Sequence, residues 1–524
     1  MANRSFVVAV TLVFAAPFLY LVIHNLSEVH LLIERLIDRR ALRSAGNSLM
    51  LGAAVATAAT VVGTGAAWFI ARTDVPGKRL LGVLLPLPLV IPSFIGAFVL
   101  LAAFAPGGLL DAMLSPVGVE RLPQVKGFLG SFLVLTLFTY PYVYLPAAVR
   151  LRQLPSSLEE SAKLLGSGTA RTFRTIVLPQ ARGAILAGSL LVFLYTISDF
   201  GVVQLMRYDA LTRAIYATRV FDRGTSLALG LQLATLALLV VAIERSVTSG
   251  PRRRDPARGH RPLAVSLNRW RPVASGGLWV LIGVALLVPM SVLAWWTVRG
   301  FLGAPAGAGS LVSDPGSLLS PLIKTTAVSV SAAALAVIVL LPVAYLTARH
   351  RTRTGAAVNA IVVAGFALPG LAIALSLVYL TVGAPSIVAA FYQSLPLMIV
   401  AYVIHFGAHA LRASQAALAA VPVRLDDAAK VLGVSRVQRF FRVELPLVTP
   451  GLLAGGGLVL LSSMKELPAT LLLAPAGFQT LAMKIWQATE SAFFADASLA
   501  SLVLIVLSGV LTWLLVIRRT EAYM

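Results

Sequence analysis

The chain of 524 residues lacks cysteine altogether and is poor in charged side chains. The absence of cysteine excludes disulfides, thiolate metal sites, iron–sulfur clusters and cysteine nucleophiles. Only 12% of the residues are charged, whereas a soluble domain usually carries about a quarter. In place of charge the chain has 58% apolar residues and a mean hydropathy of +0.87. This composition predicts an all-α polytopic membrane protein.

Long apolar stretches divide the chain into predicted membrane helices, because about 20 apolar residues in helical form cross the hydrocarbon core of a bilayer. The first stretch follows Arg4 and lacks a convincing small-residue cleavage site, so we expect an uncleaved signal anchor. About twelve spans are predicted, at 6–23, 48–70, 80–104, 128–148, 184–206, 225–243, 276–298, 324–347, 357–382, 394–414, 450–474 and 495–517.

The formal net charge of +22 comes from 43 basic and 21 acidic residues. When the twelve spans alternate in direction, most basic residues fall on the side that holds the N-terminus. The positive-inside rule then predicts that both termini are cytoplasmic. Because topology accounts for the charge, we expect a lipid bilayer and no nucleic acid as the partner of the basic residues.

The two halves of the chain repeat each other. Gly166 and Pro179 correspond to Gly433 and Pro446 by the same offset. Each half has an even number of spans, so the two copies share one orientation and form parallel six-helix repeats. The predicted domains are a first repeat at 1–250, a basic cytoplasmic linker at 251–272 and a second repeat at 273–524.

The strongest sequence motif lies in two inner loops, at 150–183 and 415–450. In the first loop, Glu159-Glu160-Ser161-Ala162 precedes Gly166, and Ile176-Val177-Leu178-Pro179 follows. In the second loop, Asp426-Asp427-Ala428-Ala429 precedes Gly433, and Val443-Glu444-Leu445-Pro446 follows. Acids early in a helix and a glycine at its end predict a short helix, a turn and a second helix entering the membrane.

This spacing resembles the Glu-Ala-Ala loop of permease subunits of ATP-binding-cassette importers. The resemblance implies a type I importer permease fold, with each loop docking in a cleft of an ATPase subunit. Ser161 and Asp427 depart mildly from the family pattern. The resemblance assigns ATPase coupling to eight residues: Glu160, Ala162, Gly166, Pro179, Asp427, Ala429, Gly433 and Pro446.

The chain has no recognisable nucleotide site of its own. Its only Gly-Lys pair, Gly77-Lys78, lacks the upstream glycine and the following hydroxyl residue of a phosphate-binding loop. We therefore expect no cofactor in this chain and no enzymatic activity, with ATP and Mg bound by the partner. Two coupling loops imply two copies of an ATPase subunit.

Acidic residues near the ends of the fifth and eleventh spans are candidates for a substrate pathway. Asp199 follows the apolar stretch of the fifth span, and Lys465 and Glu466 lie at the equivalent place in the eleventh. Carboxylates at this depth are costly to bury and normally face the bundle interior or water. Two interpretations remain open: the acids line a vestibule that attracts cations, or Asp199 caps a helix and Lys465 neutralises Glu466.

The segments around these residues resemble the fused permeases of ferric iron importers. The motifs concerned are Asp199-Phe200-Gly201 and Lys465-Glu466-Leu467-Pro468-Ala469-Thr470. The resemblance implies an inner-membrane permease for ferric iron, delivered by an extracytoplasmic iron-binding protein. Thiamine permeases, and those for other small solutes, share the architecture and are the alternative. A secondary transporter is a third possibility, against which the paired loops stand.

Two histidines, His405 and His409, are spaced to share one face of the tenth span. Such spacing can serve a metal site, but no third ligand lies nearby in the sequence and ferric iron prefers oxygen donors. We therefore predict packing or inter-helix hydrogen bonding for both histidines and no metal site. No combination of residues points to catalysis.

Overall fold

The computed structural model describes residues 4–118, 123–154, 157–248, 265–303, 311–350, 353–422, 424–425 and 431–514, and within them it contains helices and connecting turns but no strand. Helices of the first half are α1 Arg4–Ser27, α2 Val29–Ile37, α3 Arg39–Arg72, α4 Lys78–Leu84, α5 Ser93–Ala103, α6 Leu109–Leu114, α7 Gly127–Gln153, α8 Ser157–Leu164, α9 Thr169–Thr172, α10 Leu178–Ser198, α11 Gly201–Leu205, α12 Leu211–Thr218 and α13 Arg223–Thr248. Helices of the second half are α14 Arg271–Ile282, α15 Val288–Phe301, α16 Leu319–Tyr345, α17 Arg353–Ala367, α18 Gly370–Val382, α19 Ser386–Ala389, α20 Leu395–Ala420, α21 Arg436–Arg439, α22 Leu445–Met464, α23 Pro468–Leu473, α24 Leu481–Glu490 and α25 Phe494–Thr512.

The described residues contain 10 helical segments long and apolar enough to cross a membrane, or up to 12 if two bent pairs each count as one span. This number agrees with the sequence prediction of about twelve. The spans predicted at 80–104 and 357–382 are each bent near the centre, by 92° and 105°. Each bend contains a proline, Pro92 or Pro369, directly before the second helix of the pair. The proline ring and the missing N–H interrupt a helix.

Two further predicted spans are also interrupted. The segment predicted at 184–206 stops being helical after Ser198, and the one at 450–474 stops after Met464. A short helix, α11 or α23, resumes a few residues later. The candidate carboxylates Asp199 and Glu466 lie in these two breaks, where backbone groups leave the helical hydrogen-bonding pattern and need other partners.

The sequence repeat is also a structural repeat. In the first half α3, α7 and α10 pack on one another, and in the second half α16, α20 and α22 do the same. The hydroxyl of Ser48 on α3 accepts a hydrogen bond from the Leu211 amide at 2.8 Å. Thr325 on α16 accepts one from the Leu481 amide at the same distance. Each repeat therefore anchors the start of a short helix, α12 or α24, on its own central span.

Close packing within each bundle depends on a glycine at equivalent places. A Cβ on Gly188 of α10 would lie 2.8 Å from the Tyr142 carbonyl oxygen of α7. One on Gly455 of α22 would lie 2.7 Å from the Ala413 side chain of α20. Small residues let membrane helices approach closely, and van der Waals contact then stabilises the bundle.

The compact units of the structure differ from the sequence repeats. One unit, here the Asp199 unit, is formed by described residues within Asp38–Ala214 and Leu236–Leu302. The other, the Glu466 unit, is formed by those within Met1–Ile37, Ile215–Thr235 and Gly303–Met524. Helix α1 thus packs on α17 and α18, and α15 packs on α5. Each unit takes its first membrane helix from the other repeat. The predicted boundaries at 1–250, 251–272 and 273–524 stay a prediction about the duplicated sequence.

A junction inside the Asp199 unit joins the end of α3 to the start of α14. The Val265 amide donates to the Arg72 carbonyl at 2.8 Å, and Thr73 and Val265 form an isolated parallel bridge. Asp74 accepts from the Leu267 amide at 2.9 Å and pairs with Arg271. The Arg271 guanidinium, together with that amide, holds the pKa of Asp74 below its usual range.

Candidate functional sites: the paired loops and the helix-break carboxylates

The first candidate loop joins α7 to α10 through α8 and α9. Helix α8 ends at a left-handed residue, Gly166, with φ of 76°. The Ser167 amide donates to the Ala162 carbonyl at 2.9 Å, which is the bond that closes a Schellman-type helix end. A residue with a Cβ is strained at this φ. The glycine therefore forces the chain to reverse direction immediately after α8.

The second loop contains a left-handed glycine at the equivalent position. Gly433 has φ of 72°, and the chain then enters α21 and α22. Pro446 occupies the second position of α22, as Pro179 does in α10, and each follows a π-helical turn, Phe440–Glu444 or Phe173–Val177. Two predicted coupling residues of this loop, Asp427 and Ala429, lie outside the described residues.

Both loops expose a pair of large apolar side chains immediately before the glycine. Leu164 and Leu165 are 89% and 87% exposed, and Val431 and Leu432 are 88% and 80% exposed. Adjacent, almost fully exposed apolar residues at equivalent places are typical of a surface that another protein covers. These four residues are not among the coupling residues predicted from the sequence. The sequence signal that could have identified them is the apolar pair directly before each glycine.

The predicted coupling residues of the first loop have different environments. Glu160, Gly166 and Pro179 are exposed, and Ala162 is half-buried. Their neighbour Glu159 is buried and forms an ion pair with Arg72 at the end of α3. The two adjacent acids therefore differ: Glu160 faces outward and Glu159 faces the bundle.

Asp199 joins three elements of its unit. Its Oδ1 accepts a hydrogen bond from the Val202 amide at 2.8 Å, in the manner of a helix cap on α11. Its Oδ2 accepts one from the Ser93 hydroxyl at 2.5 Å, at the start of α5. Its carbonyl accepts one from Thr212 at 2.7 Å. Tyr195 donates in turn to the Ser93 oxygen at 3.0 Å.

Glu466 has the equivalent position in the other unit. Its Oε1 accepts from the Ala469 amide at 3.0 Å, at the start of α23. A Cβ on Gly370 would lie 2.6 Å from the same oxygen, so the carboxylate fills space at the start of α18. The Glu466 carbonyl accepts from the Thr470 hydroxyl at 2.5 Å. Lys465 is half-buried beside it, with its backbone amide donating to Ser462 at 3.2 Å.

In each unit the carboxylate therefore contacts the first residue after the proline bend, Ser93 or Gly370. Each also satisfies a backbone amide of the short helix that follows the break. This geometry supports the capping interpretation for Asp199 and extends it to Glu466. It also places a half-buried acid at the interruption of a membrane helix, which is where transport proteins commonly put polar groups.

The two histidines of α20 lie in an aromatic environment. The His405 ring centroid is 4.3 Å from that of Phe406, and the His409 centroid is 4.8 Å from that of Phe366. His405 Nε2 also lies 4.0 Å from Glu466 Oε2. Among the described residues, no group of three or more His, Asp or Glu side chains is placed to hold a metal ion.

Comparison with known families agrees with this duplicated architecture. The profile of the family described as "Binding-protein-dependent transport system inner membrane component" matches residues 59–250 and 340–519, one region in each repeat. The chain belongs to this family. It is a multi-pass inner-membrane permease subunit of an ABC importer, and membership implies a substrate-binding protein and an ATPase as partners.

Individual relatives support the same assignment. The permease is 28% identical over 516 residues to an Fe(3+)-transport system permease protein of Haemophilus influenzae, covering 97% of this chain and 96% of the relative. It is 32% identical over 164 residues to a molybdenum transport system permease protein of Azotobacter vinelandii, covering 31% and 71%. It is 29% identical over 137 residues to a sulfate transport system permease protein of Salmonella typhimurium, covering 26% and 48%.

Proposed function

We propose that this permease imports ferric iron, using ATP hydrolysed by two copies of an ATPase subunit that dock on its two loops. The observation that carries the coupling role is the repeated exposed apolar pair, Leu164–Leu165 and Val431–Leu432, held before a left-handed glycine. Burying such side chains in a partner is favourable by roughly 1.5–3 kcal/mol for each fully covered Leu or Val. The eight coupling residues predicted from the sequence belong to the same two loops.

Full-length similarity supports ferric iron as the substrate. The Fe(3+)-transport relative matches both repeats across nearly the whole chain, whereas the molybdenum and sulfate relatives match about a third of it or less. In this proposal the iron arrives on an extracytoplasmic binding protein. The loops and both termini face the cytoplasm, as the distribution of basic residues indicates.

The helix-break residues Asp199, Lys465 and Glu466 belong to the same proposal as pathway residues. Asp199 and Glu466 are half-buried at interrupted membrane helices, and a carboxylate attracts a passing cation. The permease itself holds no cofactor in this proposal, since ATP and Mg bind to the ATPase.

Reconstitution tests the energy source and the substrate together. The permease, its ATPase and its binding protein are placed in proteoliposomes, and uptake of radioactive ferric iron is measured with ATP on the ATPase side. We expect uptake that requires ATP and the binding protein and that does not respond to an imposed pH gradient. Molybdate, sulfate and thiamine serve as competing substrates.

Two results would contradict the proposal at different points. ATP-dependent uptake of molybdate, sulfate or thiamine in place of iron would change the substrate and leave the coupling intact. Accumulation driven by a pH step without ATP would identify a secondary transporter and remove the coupling role of the loops.

A further inference from the structure

One residue of the first loop is buried although the loop is otherwise exposed. Glu159 is 6% exposed, whereas Leu164 and Leu165 of the same short segment are nearly 90% exposed. Its Oε1 accepts a hydrogen bond from an Nη of Arg72, which is itself 2% exposed. A charged pair is therefore withdrawn from water at the base of α8.

Stability alone does not explain this pair. Removing two charges from water is costly, and the attraction between them repays that cost only when the remaining donors are also satisfied. The Nε and the second Nη of Arg72 have no hydrogen-bond partner within the described part of the chain. A well-packed apolar pair would serve the fold at least as well, so the ion pair calls for another role.

The position of Arg72 indicates that role. Helices α7 and α10 are joined covalently through the loop that contains α8, but α3 is not. Arg72 is the last residue of α3, and Glu159 lies in the first turn of α8. Of the bundle helices α3, α7 and α10, α3 is the one that the loop does not directly join. The ion pair connects α3 to that loop.

We propose that the Arg72–Glu159 ion pair ties α3 to α8, so that the loop, α3, α7 and α10 move as one body when the ATPase displaces the loop. The inference rests on the proposed coupling function of this loop. Arg72 and Glu159 are positioning residues here, since both are buried and the docking surface lies farther along the loop.

The second repeat places an arginine at the equivalent position. Arg349 follows α16 and donates to the Val421 carbonyl, directly after α20, at 3.3 Å. It too links the ends of two bundle helices. Asp426, the counterpart of Glu159, lies outside the described residues, so the inference is confined to the first loop.

Spin-label distances test the tie directly. The native chain has no cysteine, so Val61→Cys on α3 and Ser157→Cys at the start of α8 give two unique labelling sites, both exposed. Distances are measured in the permease–ATPase complex with and without ATP. Uptake of ferric iron per ATP hydrolysed, and ATPase retained per permease, are measured on the unlabelled protein.

We compare the parent with Glu159→Gln, with Arg72→Gln and with the swapped pair Arg72→Glu plus Glu159→Arg. The control is Asp209→Asn, which breaks an exposed ion pair with Arg213 in the same unit. We expect one narrow distance distribution in the parent and the control, with and without ATP. Both Gln variants should broaden the distribution and lower uptake per ATP about tenfold while still retaining the ATPase, and the swapped pair should partly restore both properties.

Other outcomes overturn the proposal. If the distances and the uptake per ATP of the Gln variants match the parent, the pair does not tie the helices. If these variants reduce only the yield of complex, and the surviving complexes behave like the parent, the pair is merely a stability element. A parent that fails to retain the ATPase would instead refute the proposed function of the loop, which separates the two failures.

Discussion

At the scale of single residues, Asp199 and Glu466 each have two possible roles, one in the substrate pathway and one in the local structure. The sequence left open whether both acids line a pathway, or whether Asp199 caps a helix and Lys465 neutralises Glu466. In the structure each carboxylate accepts a hydrogen bond from a backbone amide of the following short helix. The donor is Val202 for Asp199 and Ala469 for Glu466. Capping and pathway lining are compatible, because a carboxylate that caps the short helix also lies at the break in the membrane span.

Removing these charges with little change in shape separates the two roles. In Asp199→Asn plus Glu466→Gln the remaining carbonyl oxygens can still accept the amide hydrogen bonds. If the acids attract the passing cation, we expect iron uptake per assembled complex to fall about tenfold, which corresponds to roughly 1.4 kcal/mol. Each single variant should lose less than the double variant.

The control for this experiment is Asp222→Asn. Asp222 also caps a helix, through the Thr225 amide at 3.0 Å, but it is exposed in a loop. We expect normal uptake per complex in this variant. If the double variant shows lower yield with normal uptake per complex, Asp199 and Glu466 are caps only.

At the scale of elements, the two loops combine local sequence signals with a surface that depends on the fold. The glycine turn follows from residues within one loop, because only the left-handed conformation closes the Ser167–Ala162 hydrogen bond after α8. Exposure of Leu164 and Leu165 depends on the bundle as well, which buries Glu159 on the other side of the same helix. Apolar residues at such a turn are therefore available to a partner.

Placing charges on this surface should weaken ATPase docking. We expect Leu164→Asp plus Leu165→Asp to lower the affinity for the ATPase at least about tenfold, because two apolar side chains lose favourable burial and two carboxylates must be desolvated. Binding of purified ATPase to the detergent-solubilised permease measures the effect.

Val220→Asp provides the matched control, since Val220 is 70% exposed in the loop between α12 and α13. It should bind the ATPase like the parent. Equal affinity of the Leu164/Leu165 variant and the parent would exclude these leucines from the docking surface.

At the scale of the whole molecule, the boundaries of the sequence repeats differ from those of the compact units. The sequence repeats are consecutive, but each compact unit contains a first helix from the other repeat. Helix α1 packs on α17 and α18, and α15 packs on α5. The first repeat by itself consequently lacks α15, which packs on its α5, and the second repeat by itself lacks α1, which packs on its α17 and α18.

Cutting the chain in the basic linker tests this exchange. We expect residues 1–250 expressed alone to be protease-sensitive, because the Asp199 unit then lacks α14 and α15. Co-expression with residues 251–524 should restore a protease-resistant complex that co-purifies. A protease-resistant, monodisperse 1–250 fragment would show that the first repeat folds without the exchanged helices.

Local patterns in the sequence by themselves determined the helical class, the number of membrane spans, the duplication and the two glycine-ended loops. They do so because hydropathy, proline and glycine act on the residues next to them, whichever distant segments pack nearby. Even the sharp bends have a local cause, because Pro92 and Pro369 lie inside two of the predicted spans.

The tertiary structure alone decided the features that join distant segments. The Arg72–Glu159 ion pair, the Asp199–Ser93 hydrogen bond and the exchange of first helices each connect residues far apart in the chain. No periodicity encodes such pairs, because a buried charge or hydroxyl is satisfied by whichever group packing brings within reach. Which acid of Glu159 and Glu160 is buried against the bundle, and which is exposed, is therefore a property of the fold.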